Sequence, residues 1–351
     1  MKRLALAASV IALAGAAAFG SSTPADAWGA TGHRLIGVAA MRALTDELPA
    51  FLREPGAVAE VGELSREPDR TKGAGQPHDR ERDTAHFVDL TDDGRVMTAA
   101  GPTLAELPEL KSEYDALLLA ADIKVNDAGY LPYAIMDGFQ QLARDFATWR
   151  VLNAAEARET DPAKRAWYRE DRLRREALIL RDIGYLSHYI GDGSQPHHLS
   201  IHYNGWDRNT PNPEGFTTSR QTHGAFEGAF TRRTARLDLV EAAMPAPALD
   251  GFEMRPRVAA YLTAGLGQVI PFYRLEKAGG FVDADPRGAE FVTVRLSAGA
   301  AELRDLITLA WRDAGTQSIG WPAVRVAEVE AGTADPWGAM VASRSRSWPT
   351  I

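Results

Sequence analysis

The sequence predicts an all-α protein built as a single, mostly helical domain. Long segments repeat apolar residues with the 3.6-residue period of a helix, few runs look like strands, and no internal repeat is evident. An apolar content of 45% in 351 residues is enough for one sizeable core. We expect one domain over residues 28–330, followed by a C-terminal tail over 331–351 that lies on the surface or is loosely ordered.

The predicted helices follow one another along the whole domain. The first is amphipathic and opens at His33. The longest, 162–193, has a charged first half and an apolar second half, so we expect its second half to pack in the core through Leu178, Ile183, Leu186 and Ile190. The remaining predicted helices cover 104–124, 134–158, 219–231, 235–245, 255–277 and 298–315.

The first 27 residues have the composition of a secretory signal. Two basic residues precede an apolar stretch over 4–19, and Ala25-Asp26-Ala27 matches a cleavage site. The apolar stretch is shorter than the roughly 20 residues that a membrane-spanning helix needs. We therefore predict cleavage after Ala27, with a periplasmic or secreted mature chain that begins at Trp28.

Two pairs of side chains have the spacing of a metal site. His188 and Asp192, and likewise His223 and Glu227, are four residues apart, so each pair projects from one face of a helix. Because the chain has no cysteine, zinc would be held by imidazole and carboxylate, which favours a catalytic over a structural site. Cleavage would also free the amine of Trp28, which could chelate a metal together with its own carbonyl.

Four motifs carry a resemblance to a known family. They are WGATGH at 28–33, AHFVD at 85–89, HYIGDGSQPHH at 188–198 and HGAFE at 223–227. Together, in this order and behind a signal segment, they resemble the S1/P1 nuclease family, which shares its fold with the zinc-dependent phospholipases C. The resemblance covers residues 28 to about 230. It implies a helical domain of the phospholipase C/P1 nuclease type with three zinc ions in one cleft.

The resemblance also implies which residues hold each ion. The first zinc would take the amine and carbonyl of Trp28, with His33 and Asp192. The second would take His86, His188, Asp192 and one upstream aspartate. The third would take His198, His223 and Glu227.

Two of these assignments had competitors. Asp69 is the best match for the upstream aspartate because a basic residue follows it, as in the family, and Asp79 and Asp83 are the alternatives. His198 is favoured over His197 by its spacing from Asp192 in the family.

The same resemblance implies catalytic roles for Asp69, Lys72 and Asp192. Asp192 would bridge two zinc ions whose shared hydroxide attacks phosphorus, and Asp69 could orient that nucleophile. Lys72 falls where these nucleases keep an arginine that touches the phosphate; it loses the bidentate fork but keeps the charge. Phe87 and Asp89 fall where nucleases of this family stack and hydrogen-bond a nucleobase. The alternative is that Phe87 packs beside a ligand and Asp89 supports His86.

The formal net charge of −8 argues against gripping duplex DNA with a basic face. It does not argue against hydrolysis, because bound zinc reverses the local sign of the potential. The expected function is therefore zinc-dependent phosphodiester hydrolysis of single-stranded nucleic acid or nucleotides by an endonuclease-type enzyme. No stable protein partner is predicted.

Two departures from the nuclease pattern keep other functions open. The stretch between His198 and His223 lacks the Gly-Gly-Asn segment usual in these nucleases, and Glu227 stands where they usually have aspartate and the phospholipases have glutamate. A zinc-dependent phospholipase C acting on phospholipid is therefore the alternative. A second alternative is a non-enzymatic zinc-binding protein of the envelope, which predicts closed four-ligand sites instead of ligands shared between ions.

Overall fold

A computed structural model describes residues 28–72, 75–76, 78–282 and 285–341. The predicted signal segment (1–27) and the last ten residues of the predicted tail (342–351) lie outside these described residues. Within them, the prediction of a mostly helical single domain is confirmed. No helix in the described ranges is both long and apolar enough to cross a lipid bilayer.

The α-helices follow each other through the chain with short connections. In chain order they are α1 (Gly29–Arg42), α2 (Pro55–Leu64), α3 (Glu67–Arg70), α4 (Asp79–Asp83), α5 (Lys111–Ala120), α6 (Val125–Ala128), α7 (Leu131–Arg158), α8 (Pro162–Ser194), α9 (Thr222–Gly224), α10 (Thr231–Thr234), α11 (Leu237–Ala243), α12 (Met254–Leu266), α13 (Val269–Lys277), α14 (Pro286–Ala314), α15 (Val326–Ala331) and α16 (Trp337–Val341). Single 3₁₀ turns cover Ala50–Arg53, Thr84–His86, Leu104–Glu106 and Pro196–Leu199, and a π-helical turn covers Ala225–Phe230. A small antiparallel ladder pairs β1 (Ser318–Ile319) with β2 (Val324–Arg325).

The two longest helices, α8 and α14, both begin at an Asp-Pro dipeptide. Asp161 accepts hydrogen bonds from the N–H groups of the first turn of α8, and Asp285 does the same for α14 at 2.9 Å. A proline follows each aspartate, where its missing N–H costs nothing and its fixed φ suits a helix. Helix α8 ends at Ser194 because Pro196 cannot continue it.

The core lies where α1, α7, α8 and α14 pack against one another. Ile183, Leu186 and Ile190 of α8 are fully buried, as predicted. Leu178 is 40% exposed, so that expectation was wrong: the charged, solvent-facing half of α8 extends further than the apolar pattern indicated. The second half of α8 is therefore surrounded by other helices, and any polar group on it is shielded from water.

Several helix boundaries differ from the predicted ones, for identifiable reasons. Helix α14 begins at Pro286, twelve residues before the predicted 298. The predicted 255–277 helix is divided into α12 and α13, because Pro271 lacks an N–H and is tolerated only in a first turn. Of the predicted 104–124 helix only α5 is α-helical, since Pro108 interrupts the pattern.

The segment predicted as a 219–231 helix is helical but not regular. It runs from α9 through the π-helical turn into α10. Sequence periodicity missed α2, and within the predicted tail it missed α16, whose Trp337 packs edge-on against Trp167 and Tyr168.

Candidate metal centre

Helix α8 carries the two central ligand candidates into the core. His188 and Asp192 lie one turn apart and are fully buried, with His188 Nε2 3.4 Å from Asp192 Oδ2. The 3₁₀ turn before Phe87 brings His86 to the same point: its Nδ1 lies 3.2 Å from Asp192 Oδ2 and 2.9 Å from His188 Nε2. Lone-pair atoms of three side chains thus converge on one buried point.

Helix α3 and the residues after it add a carboxylate and a cation. Asp69 Oδ1 lies 3.7 Å from His188 Nε2 and 3.9 Å from His86 Nδ1. Lys72 Nζ lies 2.7 Å from the same oxygen. Asp79, a competitor for this role, instead accepts a hydrogen bond from the N–H of Gln76 at 3.0 Å.

Helix α1 contributes a further imidazole, that of His33. Its Nε2 lies 3.7 Å from Asp192 Oδ1, and its ring stacks on that of His188 with 4.0 Å between centroids. Among the described residues, neither ring nitrogen of His33 has a hydrogen-bond partner. This close approach depends on Gly191, because a Cβ there would lie 2.7 Å from His33 Nδ1.

A further group forms where α8 ends and the π-helical turn begins. His223 Nε2 lies 2.6 Å from Glu227 Oε1, and His198 Nε2 lies 3.2 Å from the same oxygen. His198 also joins this group to α8, since its Nδ1 is 3.7 Å from Asp192 Oδ1.

The buried ligand candidates form three groups, each with its donor atoms within 4.8 Å of one another. Cluster 1 is His33, Asp69 and His188; cluster 2 is His86, His188 and Asp192; cluster 3 is His198, His223 and Glu227. We refer to the three clusters together as the metal centre. His188 belongs to two clusters, so clusters 1 and 2 are adjacent.

Two imidazoles have their tautomer fixed by backbone carbonyls. His188 Nδ1 donates to the carbonyl of Ser65 at 2.8 Å, and His198 Nδ1 donates to the carbonyl of His86 at 2.7 Å. In both cases the Nε2 lone pair is left to face its cluster. This is the arrangement that orients metal-ligating histidines in proteins.

Burial sets the protonation of the imidazoles. It lowers the pKa of His33, His86 and His188 well below the ordinary value, with mutual repulsion between the rings adding to the effect for His33 and His86. These rings are therefore neutral near pH 7. Neutral imidazole is the form that binds a metal.

The two buried carboxylates respond differently to their surroundings. Burial, and then the charge of Asp69, raise the pKa of Asp192 well above its ordinary value. Burial also acts to raise the pKa of Glu227, but the nearby imidazoles of His223 and His198 outweigh it and lower that pKa. An ionised Asp192 in this position needs compensating positive charge.

The donor set fits zinc or a similar divalent cation. It consists of neutral imidazole nitrogens and carboxylate oxygens, with no thiol. His33 Nδ1 and Nε2, His198 Nε2, His223 Nε2 and Glu227 Oε2 are buried without a hydrogen bond in the described part of the chain. Such unpaired polar atoms are costly unless something binds them, and a cation would.

Trp28 stands at the start of α1, beside the metal centre. Its indole Nε1 donates to the carbonyl of Gly191 at 2.8 Å and to Ser194 Oγ at 2.9 Å, both on α8. The next residue, Gly29, faces the backbone carbonyl of Glu227. The indole is thus anchored between the two ligand-bearing segments. The expected amine ligand would exist only after removal of residues 1–27, which lie outside the described residues.

Phe87 and Asp89 lie in different surroundings. Phe87 is half-buried, and its carbonyl accepts the N–H of Leu131 at 3.0 Å, which ties this segment to α7. Asp89 is buried, and burial, followed by the nearby charge of Asp127, raises its pKa well above the ordinary value. Burial therefore favours the protonated form of Asp89.

Sequence reasoning missed two residues that contact the ligand candidates. Gln195 is fully buried, accepts the N–H of His197 on Oε1, and donates from Nε2 to Glu227 Oε1. Tyr189 packs its ring edge-on against His86 and His188. Both lie inside the HYIGDGSQPHH motif, so their position in the run was the available signal.

No protein-family model matches the chain, and no curated protein matches it. The resemblance to the S1/P1 nucleases therefore rests on the four sequence motifs alone.

Proposed function

We propose that the mature chain is a zinc-dependent phosphodiesterase of the S1/P1 nuclease type that hydrolyses single-stranded nucleic acid. The observation that carries this proposal is the position of Asp192. Its Oδ1 lies 3.7 Å from both His33 and His198, and its Oδ2 lies 3.2 and 3.4 Å from His86 and His188. One carboxylate that faces imidazoles on both oxygens is suited to bridge two metal ions.

A bridging carboxylate favours catalysis over zinc storage. Two metal ions about 3.5–4 Å apart are typical of enzymes that cleave phosphate esters. Closed four-ligand storage sites would have no reason to share the Asp192 carboxylate between the imidazoles that face its two oxygens. The sharing supports hydrolysis.

Each polar residue at the centre has a role in this proposal. Bound zinc would supply Lewis acidity to an attacking water and to the phosphoryl oxygens. Although burial disfavours its charge, Asp69 and Asp192 raise the pKa of Lys72, so its ammonium stays charged and can neutralise a phosphate oxygen. Asp69, 2.7 Å from that ammonium, would hold it in place and orient the water. Phe87 and Asp89 would stack and hydrogen-bond the base.

Phospholipase C activity is the second candidate, and Glu227 favours it. This glutamate stands where the phospholipases have glutamate and the nucleases usually have aspartate. The competing observations are the WGATGH spacing at the start of the chain and the cationic Lys72 beside the clusters.

The amine of Trp28 would complete the ligand set only in a processed, periplasmic or secreted chain. A protein with one extra residue before Trp28 should therefore bind one zinc ion fewer and lose activity, as measured by elemental analysis and by hydrolysis rate. One residue added after Ile351 is the matched control. Full zinc content and full activity in the N-terminally extended protein would mean that the amine is not a ligand.

The deciding experiment uses protein that begins at Trp28, loaded with zinc. Single-stranded DNA, RNA and phosphatidylcholine vesicles are assayed side by side, each with and without EDTA. Cleavage of nucleic acid that EDTA abolishes supports the nuclease. Cleavage of phosphatidylcholine alone would move the chain to the phospholipase alternative, and stoichiometric zinc without turnover on any substrate would leave a zinc-binding protein.

A further inference from the structure

A cavity of about 370 Å³ lies next to the metal centre, between α5, α7 and α8. We call it the tyrosine pocket and define it by Lys111, Tyr130, Asp137, Arg181, Tyr185 and Tyr189. Its volume falls in the range of about 300–1,000 Å³ typical of small-ligand sites. Of these residues only Tyr189 lies in one of the four motifs, and the proposed reaction uses none of them.

The pocket shares a wall with the metal centre. The ring of Tyr189 lines the pocket and lies 5.6 Å from the ring of His86 and 5.7 Å from that of His188, centroid to centroid. Ala85, the residue before His86, lines the same cavity. One aromatic ring therefore separates the pocket from clusters 1 and 2.

The lining of the pocket combines aromatic rings with cations. The guanidinium of Arg181 lies 4.4 Å from the ring centroid of Tyr185, and Lys111 Nζ lies 4.0 Å from that of Tyr130. Tyr185 and Tyr189 are half-buried, so part of each ring faces the cavity. The lining also includes two acids, Asp137 and Asp182, and Asp182 lies 3.3 Å from the guanidinium of Arg181, so the pocket offers cations beside rings but no net positive charge.

Rings and cations together are what single-stranded nucleic acid requires. Bases stack on aromatic side chains without regard to sequence, while lysine and arginine neutralise the phosphates. A phosphocholine headgroup also carries a phosphate and a cation that stacks on tyrosines, so the choice of a nucleotide rests on the proposed nuclease function and not on the charges of the pocket.

We propose that the tyrosine pocket holds a second nucleotide of a single-stranded substrate, next to the one whose phosphate is cleaved. Its base stacks on Tyr185, and Arg181 and Lys111 neutralise its phosphate. This inference rests on the proposed nuclease function and adds a binding subsite to it. It makes the enzyme prefer a strand to an isolated diester.

The test compares a substrate that reaches the pocket with one that does not. An eight-residue oligothymidylate spans both sites, whereas bis(p-nitrophenyl) phosphate carries no second nucleotide. Tyr185→Ala should raise KM for the oligonucleotide roughly tenfold or more, the usual scale for loss of one stacked base. It should leave kcat/KM for the small diester unchanged, because Tyr185 does not touch the clusters.

Tyr185→Phe is the matched control, since it keeps the ring and should behave as wild type on both substrates. Binding of fluorescein-labelled oligothymidylate in EDTA, followed by anisotropy, gives a readout without turnover and should weaken in Tyr185→Ala alone. An equal effect of Tyr185→Ala on both substrates, or none on either, would overturn the subsite and leave the nuclease intact. If wild-type protein neither binds nor cleaves the oligonucleotide, the proposed function fails, and the subsite fails with it.

Discussion

The side-chain amide of Gln195 makes two hydrogen bonds of opposite polarity. Its Oε1 accepts the N–H of His197 at 2.9 Å, which forces the NH₂ group toward Glu227. Glu227 Oε1 is thereby held by a donor, and Oε2 is left without a hydrogen bond in the described residues. Gln195 is thus a positioning residue, because its hydrogen bond to Oε1 fixes the carboxylate of Glu227 for a metal at cluster 3.

Gln195→Ala should weaken zinc binding at cluster 3 and slow hydrolysis by about 10- to 100-fold, the usual effect of losing a group that orients a metal ligand. Zinc retention during stepwise chelation measures the first effect and initial rates the second. Gln317, which donates to the Asp313 carboxylate at 2.7 Å outside the metal centre, provides the control Gln317→Ala. Wild-type zinc retention in Gln195→Ala would rule out the positioning role.

Asp192→Asn tests the bridging carboxylate. The amide has one oxygen instead of two and carries no charge, so both zinc ions that are expected to share Asp192 should be lost and nearly all activity should disappear. Metal content by elemental analysis and turnover on single-stranded DNA measure both effects. Asp171→Asn makes the same change in a surface ion pair on the same helix and should alter neither. Wild-type turnover in Asp192→Asn contradicts the bridge.

At the scale of elements, α8 organises the centre because glycines let other helices approach it. A Cβ at Gly191 would lie 2.7 Å from His33 on α1, and one at Gly193 would lie 2.7 Å from the ring of Tyr261 on α12. These contacts are closer than any side chain larger than hydrogen permits. The glycines flanking Asp192 therefore set how near α1 and α12 come.

Gly191→Ala should push α1 away from α8. We expect the free energy of unfolding to fall by about 1–3 kcal/mol, as for other overpacked cores, together with loss of zinc from cluster 1. Urea denaturation and metal content provide the two measurements. Gly56→Ala, in a helix with open space around it, should leave both unchanged. Equal stability of Gly191→Ala and wild type would show that the helices can separate without cost.

Helix boundaries were predictable where the sequence carries a clear capping or proline signal at the helix end and the prediction used it. The predicted 162–193 matches α8 to within one residue at its end, because Asp161-Pro162 opens it and Pro196 closes it. The same Asp-Pro signal opens α14 at Pro286, but the weak apolar pattern of its first turns hid it. The π-helical turn at Ala225–Phe230 has no signature in periodicity, since its extra residue is accommodated by tertiary packing.

At the scale of the whole molecule, sequence spacing could pair His188 with Asp192 but could not determine what surrounds them. The four motifs contain every residue of the three clusters except Asp69, which was inferred from the basic residue that follows it, and the fold brings all of them together. The groups that contact these residues could not be predicted. No sequence spacing shows that the carbonyl of Ser65, the amide of Gln195 or the ring of Tyr189 would lie against a ligand candidate. Only long-range packing defines them.

The stability of the whole fold should depend on pH through Asp182. This carboxyl packs beside Asp145 of α7, with Arg175 and Arg181 nearby on α8, and burial, then Asp145, raise its pKa to about 7. Between about pH 4 and pH 7 the folded state therefore holds a proton that the unfolded chain has released. The contribution of this group to stability is greatest in acid and is lost as the pH rises through about 7.

Asp182→Asn, which mimics the protonated acid, should remove that contribution. The Tm of the variant relative to wild type should be higher at pH 8 than at pH 5, measured by thermal melts in metal-free buffer. The exposed-pair variant Asp171→Asn should show the same difference at both pH values. An unchanged difference for Asp182→Asn between pH 5 and pH 8 would mean that Asp182 is already ionised in the folded state at pH 5.

The way the ligands are distributed along the chain has a consequence for the order of events in folding. His188 and Asp192 take their places as soon as α8 forms, whereas His33, Asp69 and His86 arrive only through contacts between residues more than one hundred positions apart. Closing such long loops is slow. The chain must therefore complete its topology before all three clusters can capture ions, and under the proposed function hydrolysis would be a late marker of maturation.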